Sequence, residues 1–387
     1  MTARTVKEDF VMTNRQKLLN YIKNGGDEFI CSPQIGAGAG FDTKMAGKTW
    51  FSQTTHEDTK RACEAFDMVP LYNFGLPDLT ALTSDIHWQG EPMTVNENGR
   101  RFYKNNFVTP KGTLYLTVIE DELKGSCQTK YLITQEEELD ILEYYLDSLL
   151  EVKDYSYITQ GVRGVRNLLG EGEALDIQWA MQPYELLCFP STMDTAMLVF
   201  DRPEQFRRLM DKILLLDERL IKAVAAGGSD FVFLGGPGAE MISPKYYENY
   251  LVPYSKQVTD MVHDAGMLVY THICSPIEPM LTKGYYNQMG IDLFETLSEA
   301  PVGNVKSIED AFSKIDERIC TRGNIGLDRL LSDSPEQIKE HSLRILETAK
   351  RMGRKHILAA SDYMFYEIPE ENVHAMCEAV REFNKAN

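Results

Sequence analysis

The feature that most constrains the fold is a regular alternation of short apolar runs with longer helical patterns over residues 231–384. Strands are predicted in five runs: Phe231–Gly236, Met267–Cys274, Asp292–Leu297, Arg318–Thr321 and His356–Ser361. A helical pattern follows each run, such as Pro244–Ala265, for which Ser243 is the expected N-cap. Because polar and apolar residues do not alternate within the runs, we expect strands buried on both faces, as in a parallel sheet.

Both a doubly wound open sheet and a closed (β/α)8 barrel fit this alternation. A doubly wound nucleotide-binding fold is expected to carry a Gly-x-Gly-x-x-Gly motif after its first strand, which is predicted at Glu28–Gln34. The glycines that follow, Gly36, Gly38 and Gly40, lack this spacing, and no clear helical pattern comes after them. We therefore favour a TIM barrel and interpret the glycine-rich stretch as a loop that faces the substrate, with a plain flexible loop as the alternative.

The N-terminal half is less regular. Further strands are predicted at Val69–Phe74 and Leu175–Met181, but residues 85–135 interrupt the βα rhythm. There, Arg101–Thr109 and Thr113–Ile119 flank a Pro-Lys-Gly turn, and Tyr131–Thr134 is a candidate further strand. The sequence therefore predicts an α/β chain with one (β/α)8-barrel domain over residues 1–387 and an antiparallel hairpin insertion at about residues 85–135.

Charge and composition exclude several classes of partner. The net charge of -18 argues against nucleic acid, because phosphate would be repelled. No apolar run approaches the ~18 residues of a membrane span, and residues 1–15 do not resemble a secretion signal, so no membrane partner is expected. Seven scattered cysteines without a Cys-x-x-Cys motif are typical of a reducing, cytoplasmic compartment. A homodimer is left open.

His272 and Cys274 form a His-x-Cys pair where the predicted strand Met267–Cys274 ends. Side chains at i and i+2 of a strand point the same way, so an imidazole and a thiol would emerge together. Both are zinc ligands. The pair alone is a weak motif, because a buried core cysteine beside a hydrogen-bonded histidine explains it equally well.

The ends of the other strands carry polar residues that would surround the same cavity, since active sites of parallel barrels lie at the C-terminal ends of the strands. Glu295 and Asp362 would complete an N, S, O, O ligand set that tetrahedral zinc accepts. Further candidates are Glu240, Asn324 and Tyr363 as catalytic groups and Arg322 as a substrate contact. Simple alternatives remain: the carboxylates could cap neighbouring segments, and the arginine and asparagine could hold loops.

Aromatic residues also cluster near strand ends. Those expected to bind substrate are Phe41, Trp50, Tyr72 and Tyr366. Rings at strand exits can line a pocket for a flat, aryl-containing substrate. Ordinary packing at the barrel rim is the alternative.

Together these motifs resemble the uroporphyrinogen decarboxylase superfamily. The resemblance rests on the stretch Gly235–Tyr247 with Pro253, on His272-Ile-Cys274, on Gly323-Asn-Ile325 and on Pro369-Glu-Glu-Asn-Val373, and it extends from about Asn14 to the C-terminus. It implies a (β/α)8 barrel, in agreement with the pattern of strands and helices.

The resemblance implies one of two activities. Porphyrinogen decarboxylases of this superfamily use an arginine-rich N-terminal motif, whereas Ser32–Asp42 contains no arginine. Corrinoid-dependent methyltransferases use His-x-Cys and a later cysteine as zinc ligands. This chain keeps His272 and Cys274 but carries Asp362 at the third position, and Glu295 matches a glutamate of the more distant cobalamin-independent methionine synthase.

A carboxylate in place of a thiolate gives a harder, more electrophilic Zn2+, which suits polarisation of an ether oxygen. The resemblance therefore implies a zinc-dependent methyltransferase that cleaves the methyl ether of a small methoxylated, aromatic substrate. The methyl group would pass to cobalt(I) of a corrinoid (cobalamin) carried by a partner protein. The alternatives are methyl transfer from the corrinoid protein to tetrahydrofolate or a thiol, a metal-free decarboxylase, and a non-catalytic protein that binds a tetrapyrrole.

Overall fold

A computed structural model describes residues 12–32, 34–36, 39–179, 192–236, 238–239 and 242–386. Its strands, numbered in chain order, are β1 (Ile30–Cys31), β2 (Leu71–Gly75), β3 (His87–Gly90), β4 (Thr94–Val95), β5 (Arg101–Thr109), β6 (Gly112–Asp121), β7 (Gly125–Lys130), β8 (Ala174–Gln178), β9 (Phe231–Gly235), β10 (Leu268–His272), β11 (Leu293–Thr296), β12 (Cys320–Ile325) and β13 (His356–Ala360).

The helices are α1 (Asn14–Asn24), α2 (Phe41–Met45), α3 (His56–Ala65), α4 (Leu139–Glu151), α5 (Ser156–Leu169), α6 (Thr192–Asp201), α7 (Pro203–Gly227), α8 (Pro244–Tyr246), α9 (Val252–Asp264), α10 (Glu278–Thr282), α11 (Tyr285–Gln288), α12 (Ile308–Lys314), α13 (Leu327–Ser332), α14 (Pro335–Arg351) and α15 (Glu370–Ala386). Among the described helices, none combines the length and the apolar character that crossing a bilayer requires.

Eight parallel strands form the central sheet, in the order β1-β13-β12-β11-β10-β9-β8-β2. The backbone N–H of Val69, just before β2, donates to the carbonyl of Cys31 in β1 at 3.1 Å. This bond joins the two ends of the sheet. The predicted (β/α)8 barrel is therefore confirmed. The assignment of residues 1–387 to one domain stays a prediction.

The uniform apolar runs correspond to strands that are buried on both faces. Every residue of β11, β12 and β13 is buried, because the barrel interior covers one face and the outer helices cover the other.

One predicted helix is less regular than expected. Pro244–Ala265 begins at the predicted N-cap Ser243 but passes through a π-helical turn at Tyr247–Leu251. Pro253 follows this turn, and its missing N–H cannot continue a regular α-helical hydrogen-bond ladder.

The insertion is an antiparallel sheet in which β3, β5, β6 and β7 are neighbours and β4 pairs with β5. It confirms the predicted antiparallel excursion. The strand after β6 is β7, however, and Tyr131–Thr134 is not a strand. The polar edge strand β7 carries no apolar alternation that would have located it. The sheet packs on α4 through Phe107 and Tyr145, whose ring centroids lie 5.0 Å apart.

Candidate metal centre

The register of three neighbouring strands aligns the central residues of the site. His272 of β10 pairs with Glu295 of β11, which in turn pairs with Arg322 of β12. Side chains at matched positions of adjacent strands lie on the same face. The three side chains therefore meet inside the barrel at its C-terminal end, where active sites of this architecture lie.

His272, Cys274 and Asp362 form the group that could hold a metal ion. Each offers one ligand atom, and these three atoms lie within 4.8 Å of one another. The Nε2 atom of His272 is 3.3 Å from Oδ1 of Asp362. Bonds of about 2.0–2.3 Å to a tetrahedral zinc ion hold its ligand atoms roughly 3–4 Å apart, so this group fits with small side-chain adjustments. Three protein ligands leave a fourth position for substrate, as in catalytic zinc sites.

Glu295 lies behind His272, outside this group. It is fully buried, and its Oε1 accepts a hydrogen bond of 2.9 Å from Nδ1 of His272. Its other oxygen forms an ion pair with the buried guanidinium of Arg322. A carboxylate bonded to the second nitrogen of a histidine is the usual outer partner of a metal-bound imidazole. Here it would keep the proton on Nδ1 and leave Nε2 facing Cys274 and Asp362.

The electrostatics of the group favour a cation. Burial lowers the pKa of His272, but hydrogen bonds to Asp362, Cys274 and Glu295 outweigh it and raise that pKa to about 11. For Asp362, burial raises the pKa, but contacts with His272 and the Tyr363 backbone outweigh burial and bring the pKa below its usual value. These acidic partners stabilise positive charge at the site, which a divalent cation would supply.

Three loops are tied together around the centre. Thr296 and Leu297, which follow Glu295, have φ angles of 82° and 51°. The hydroxyl of Thr296 donates to the carbonyl of Ile273 at 2.7 Å. The side-chain amide of Asn324 donates to the carbonyl of Leu297 at 3.2 Å. A Cβ at Gly323 would lie 2.6 Å from the Thr296 carbonyl oxygen, so only glycine allows this approach. Asn324 therefore holds a loop, while its buried Oδ1 has no hydrogen-bond partner among the described residues.

A buried polar layer beneath the centre was not predicted from the sequence. The hydroxyl of Tyr270 donates to Asp176 at 2.7 Å and accepts from Gln178 at 2.7 Å. Burial raises the pKa of Asp176 to about 8. Opposite, the amide of Asn73 donates to the hydroxyl of Tyr363. The available signal was a polar residue inside each of the otherwise apolar runs Leu71–Gly75 and Ala174–Gln178.

The remaining predicted residues are distributed around the barrel mouth. Tyr363 lies next to the centre, its ring centroid 5.8 Å from that of His272. Phe41 is fully buried and packs on Phe66, and Trp50 stacks with the guanidinium of Arg101 at 3.5 Å. Tyr72 lines a separate cavity of about 220 Å³ that also contains Asn73, and Tyr366 is half-buried. These contacts of Phe41, Trp50 and Tyr72 are with residues other than the proposed zinc ligands, and their assignment to substrate binding stays a prediction. Glu240 lies outside the described residues.

Comparison with known proteins places the chain in a family. Residues 116–383 match the model of the family described as "Uroporphyrinogen decarboxylase (URO-D)". The chain belongs to the uroporphyrinogen decarboxylase family. The superfamily resemblance drawn from the sequence is therefore confirmed.

Curated relatives within the family are distant. A uroporphyrinogen decarboxylase from Synechococcus sp. is 26% identical over 223 residues, which cover 55% of this chain and 60% of the relative. A uroporphyrinogen decarboxylase from Prochlorococcus marinus is 24% identical over 192 residues, which cover 48% of this chain and 50% of the relative. The chain thus spans 50–60% of the length of these relatives.

A solved structure described as a methyltransferase from Methanosarcina mazei resembles the whole fold. The TM-score is 0.65, and the match covers 96% of this chain and 99% of that one. The sequence identity is 16%, so the similarity establishes a shared fold.

Proposed function

We propose that this family member is a zinc-dependent methyltransferase that cleaves the methyl ether of a methoxylated aromatic compound and passes the methyl group to cobalt(I) of a corrinoid protein. The observation that carries the proposal is the group of one nitrogen, one sulfur and one oxygen ligand at the barrel mouth, formed by His272, Cys274 and Asp362. The shared fold with a methyltransferase is consistent with it.

The ligand set suits an oxygen leaving group. Zinc held by these residues would act as a Lewis acid on the ether oxygen at the open fourth position. A site with one thiolate and one carboxylate is harder than a site with two thiolates, which favours oxygen over sulfur as the bound atom. A thiol acceptor is thus a poorer match than an ether donor.

The surrounding side chains have distinct proposed roles. Glu295 orients His272, and Arg322 neutralises the charge of Glu295 in the barrel interior. The hydroxyl of Tyr363 already accepts a hydrogen bond from Asn73, so its own proton is available to the oxygen that loses the methyl group. The unpartnered Oδ1 of Asn324 is a second polar contact for substrate.

Decarboxylation of a porphyrinogen is less compatible with the site. A substrate with several carboxylates is normally held by unpaired arginines or lysines. The buried cation beside the metal centre, Arg322, is already paired with Glu295. The segment Ser32–Asp42, after β1, contains no arginine.

The test combines zinc-loaded protein with a corrinoid protein reduced to cobalt(I) and 2-methoxyphenol. The expected result is methyl-cobalt, seen by its absorbance, together with an equal amount of catechol. Cys274→Ser should lose both zinc and turnover, whereas Cys127→Ser, an exposed thiol on the insertion, should keep them.

Full turnover by metal-free protein would overturn the proposal. So would release of CO2 from a porphyrinogen at a rate that the Cys274→Ser change does not alter. Methyl transfer from the corrinoid protein to tetrahydrofolate, without reaction of the ether, would reverse the proposed direction.

A further inference from the structure

A cavity of about 390 Å³ lies between the antiparallel insertion and the rim of the barrel. Its walls include Trp88 and Phe107 from the insertion, Tyr145 from α4 and Trp179 after β8. Gly75 and Gln178 form its inner side, and Asp78 is the one charged residue of the described lining. An apolar, ring-lined cavity of this size holds a small organic ligand.

The aromatic walls contact one another or a buried polar partner. The ring centroids of Trp88 and Phe107 lie 4.9 Å apart, and those of Phe107 and Tyr145 lie 5.0 Å apart at an interplanar angle of 76°. The indole N–H of Trp179 donates to the buried carboxyl of Asp217 at 2.9 Å. Rings in edge and tilted arrangements offer faces and edges on which another aromatic ring can pack.

Two short chains of contacts connect the cavity to the metal centre. Gly75 and Gln178 are register partners at the last positions of β2 and β8. Gln178 donates to the hydroxyl of Tyr270, which precedes His272 by two residues on β10. Asn73, two residues before Gly75, donates to the hydroxyl of Tyr363, the neighbour of Asp362. The lining residues Gln178 and Gly75 are therefore connected through Tyr270 and Asn73 to the strand and the loop that carry His272 and Asp362.

Gly75 is an exposed residue of the cavity lining with open space beside it. A Cβ built at this position would meet no atom within 4 Å, and the residue does not need a left-handed backbone. A side chain here would project into space on the same side of β2 as Asn73. A larger residue would therefore fill this space without disturbing the strand.

On the basis of the function proposed above, we propose that this cavity binds the ring of the methyl donor, with the methoxy group directed past Gly75 toward His272, Cys274 and Asp362. The one charged residue of the described lining, Asp78, is a carboxylate, and it accepts bonds from the Thr80 backbone and hydroxyl at 2.9 and 2.8 Å. The described lining therefore offers no cation that could bind a carboxylate of the substrate. The favoured substrates are thus single-ring methoxyarenes without a carboxylate.

Tryptophan fluorescence tests this proposal without zinc, because two of the three tryptophans of the chain, Trp88 and Trp179, line the cavity. Titration of the metal-free protein with 2-methoxyphenol should give saturable quenching, and 4-methoxybenzoate should bind more weakly. Trp50→Phe should retain the quenching. Gly75→Leu should weaken binding by at least about tenfold, the loss that corresponds to 1.4 kcal/mol.

The control is Gly164→Leu, at an exposed position of α5 where a Cβ also meets no atom within 4 Å. If Gly75→Leu does not fold, as judged by circular dichroism, Leu132→Phe narrows the cavity from the half-buried opposite wall. Quenching that does not saturate, or that survives both changes, would overturn the cavity assignment even if methyl transfer occurs. Saturable binding without methyl transfer by zinc-loaded protein would instead contradict the proposed function and leave the cavity as an aromatic-ligand site.

Discussion

The two sides of the barrel mouth differ in chemistry. On the side of β10 to β13, buried polar side chains form a continuous set of contacts from Arg322 through Glu295 and His272 to Asp362. On the side of β2 and β8, apolar side chains and aromatic rings line a cavity that the insertion covers. The comparison suggests that one side places the reacting groups and the other recognises the substrate.

This difference follows from the connections between strands. From β9 onward, helices return the chain to the sheet after each strand, so the strand ends lie side by side and their polar residues meet. After β2, the chain instead forms the antiparallel sheet β3–β7, which brings Trp88 and Phe107 over the rim. The insertion thus supplies apolar surface that the βα units do not have.

The largest expected effects are those of variants that abolish zinc binding and leave ring binding intact, or the reverse. His272→Ala removes a proposed ligand, so we expect loss of zinc and of methyl transfer beyond the about 10–100-fold that outer-shell changes produce. Binding of 2-methoxyphenol should be unchanged. Leu132→Phe should give the converse, with zinc retained and ring binding lost. Metal analysis and fluorescence titration measure the two properties, and their joint loss in either variant would contradict the division.

A second prediction concerns the ion pair behind His272. Glu295→Gln leaves Arg322 buried without its partner, so the free energy of unfolding should fall by about 3–5 kcal/mol. Zinc affinity should fall by about 10–100-fold, because Glu295 orients His272 without binding the metal. The double variant Glu295→Gln/Arg322→Met should recover stability but not affinity. Denaturant unfolding and chelator competition test this, and complete loss of zinc in Glu295→Gln would identify Glu295 as a ligand.

A third prediction tests how tightly the loops of the polar side are packed. Gly323→Ala places a methyl group 2.6 Å from the Thr296 carbonyl at a φ of 143°, so we expect a loss of about 1–3 kcal/mol of stability. Gly164→Ala, on the exposed face of α5, should instead stabilise by about 0.5–1 kcal/mol. Thermal unfolding of both variants provides the measurement. Equal stability of Gly323→Ala and the wild type would show that these loops are not closely packed.

The smallest effect concerns pH and lies outside both sides of the mouth. A hydrogen bond of 2.8 Å to Asp292 raises the pKa of His263 on α9. The protonated ring therefore stabilises the fold fully below its unfolded pKa of about 6.5, and this contribution is lost as pH rises through the folded pKa. It should not exceed about 1 kcal/mol, because the ring is more than one-third exposed. The stability difference between wild type and His263→Gln should shrink as pH rises, and a growing difference would contradict the assignment.

The sequence predicted strands such as His356–Ala360 well because burial on both faces makes them almost entirely apolar. β12 was predicted at Arg318–Thr321 but lies at Cys320–Ile325, because its buried polar residues Arg322 and Asn324 interrupt the apolar pattern. A closed barrel was predicted from the strand–helix alternation, the missing nucleotide-binding glycine motif and the family resemblance, whereas the bond between Val69 and Cys31 that joins its two ends is visible only in the structure. The location of His272 and Cys274 at a strand end was predictable from alternation alone.

The position of Glu295 relative to His272 was not predictable from the sequence. It depends on the register of β10 and β11, which pairs the two residues, and on the hydrogen bond between Nδ1 of His272 and Oε1 of Glu295. The ring-lined cavity was missed for a similar reason. Trp88 and Trp179 are far apart in the chain, and their approach depends on the packing of the insertion against α4 and the barrel rim.

X-ray absorption at the zinc edge of the zinc-loaded protein tests the central claim most directly. The account predicts one sulfur ligand at about 2.3 Å, from Cys274, with the remaining ligands nitrogen or oxygen at about 2.0–2.2 Å. Glu295→Gln should leave this pattern unchanged, whereas Cys274→Ser should remove the sulfur contribution. A spectrum with two or more sulfur ligands, or one in which Glu295→Gln removes a ligand, would contradict the account.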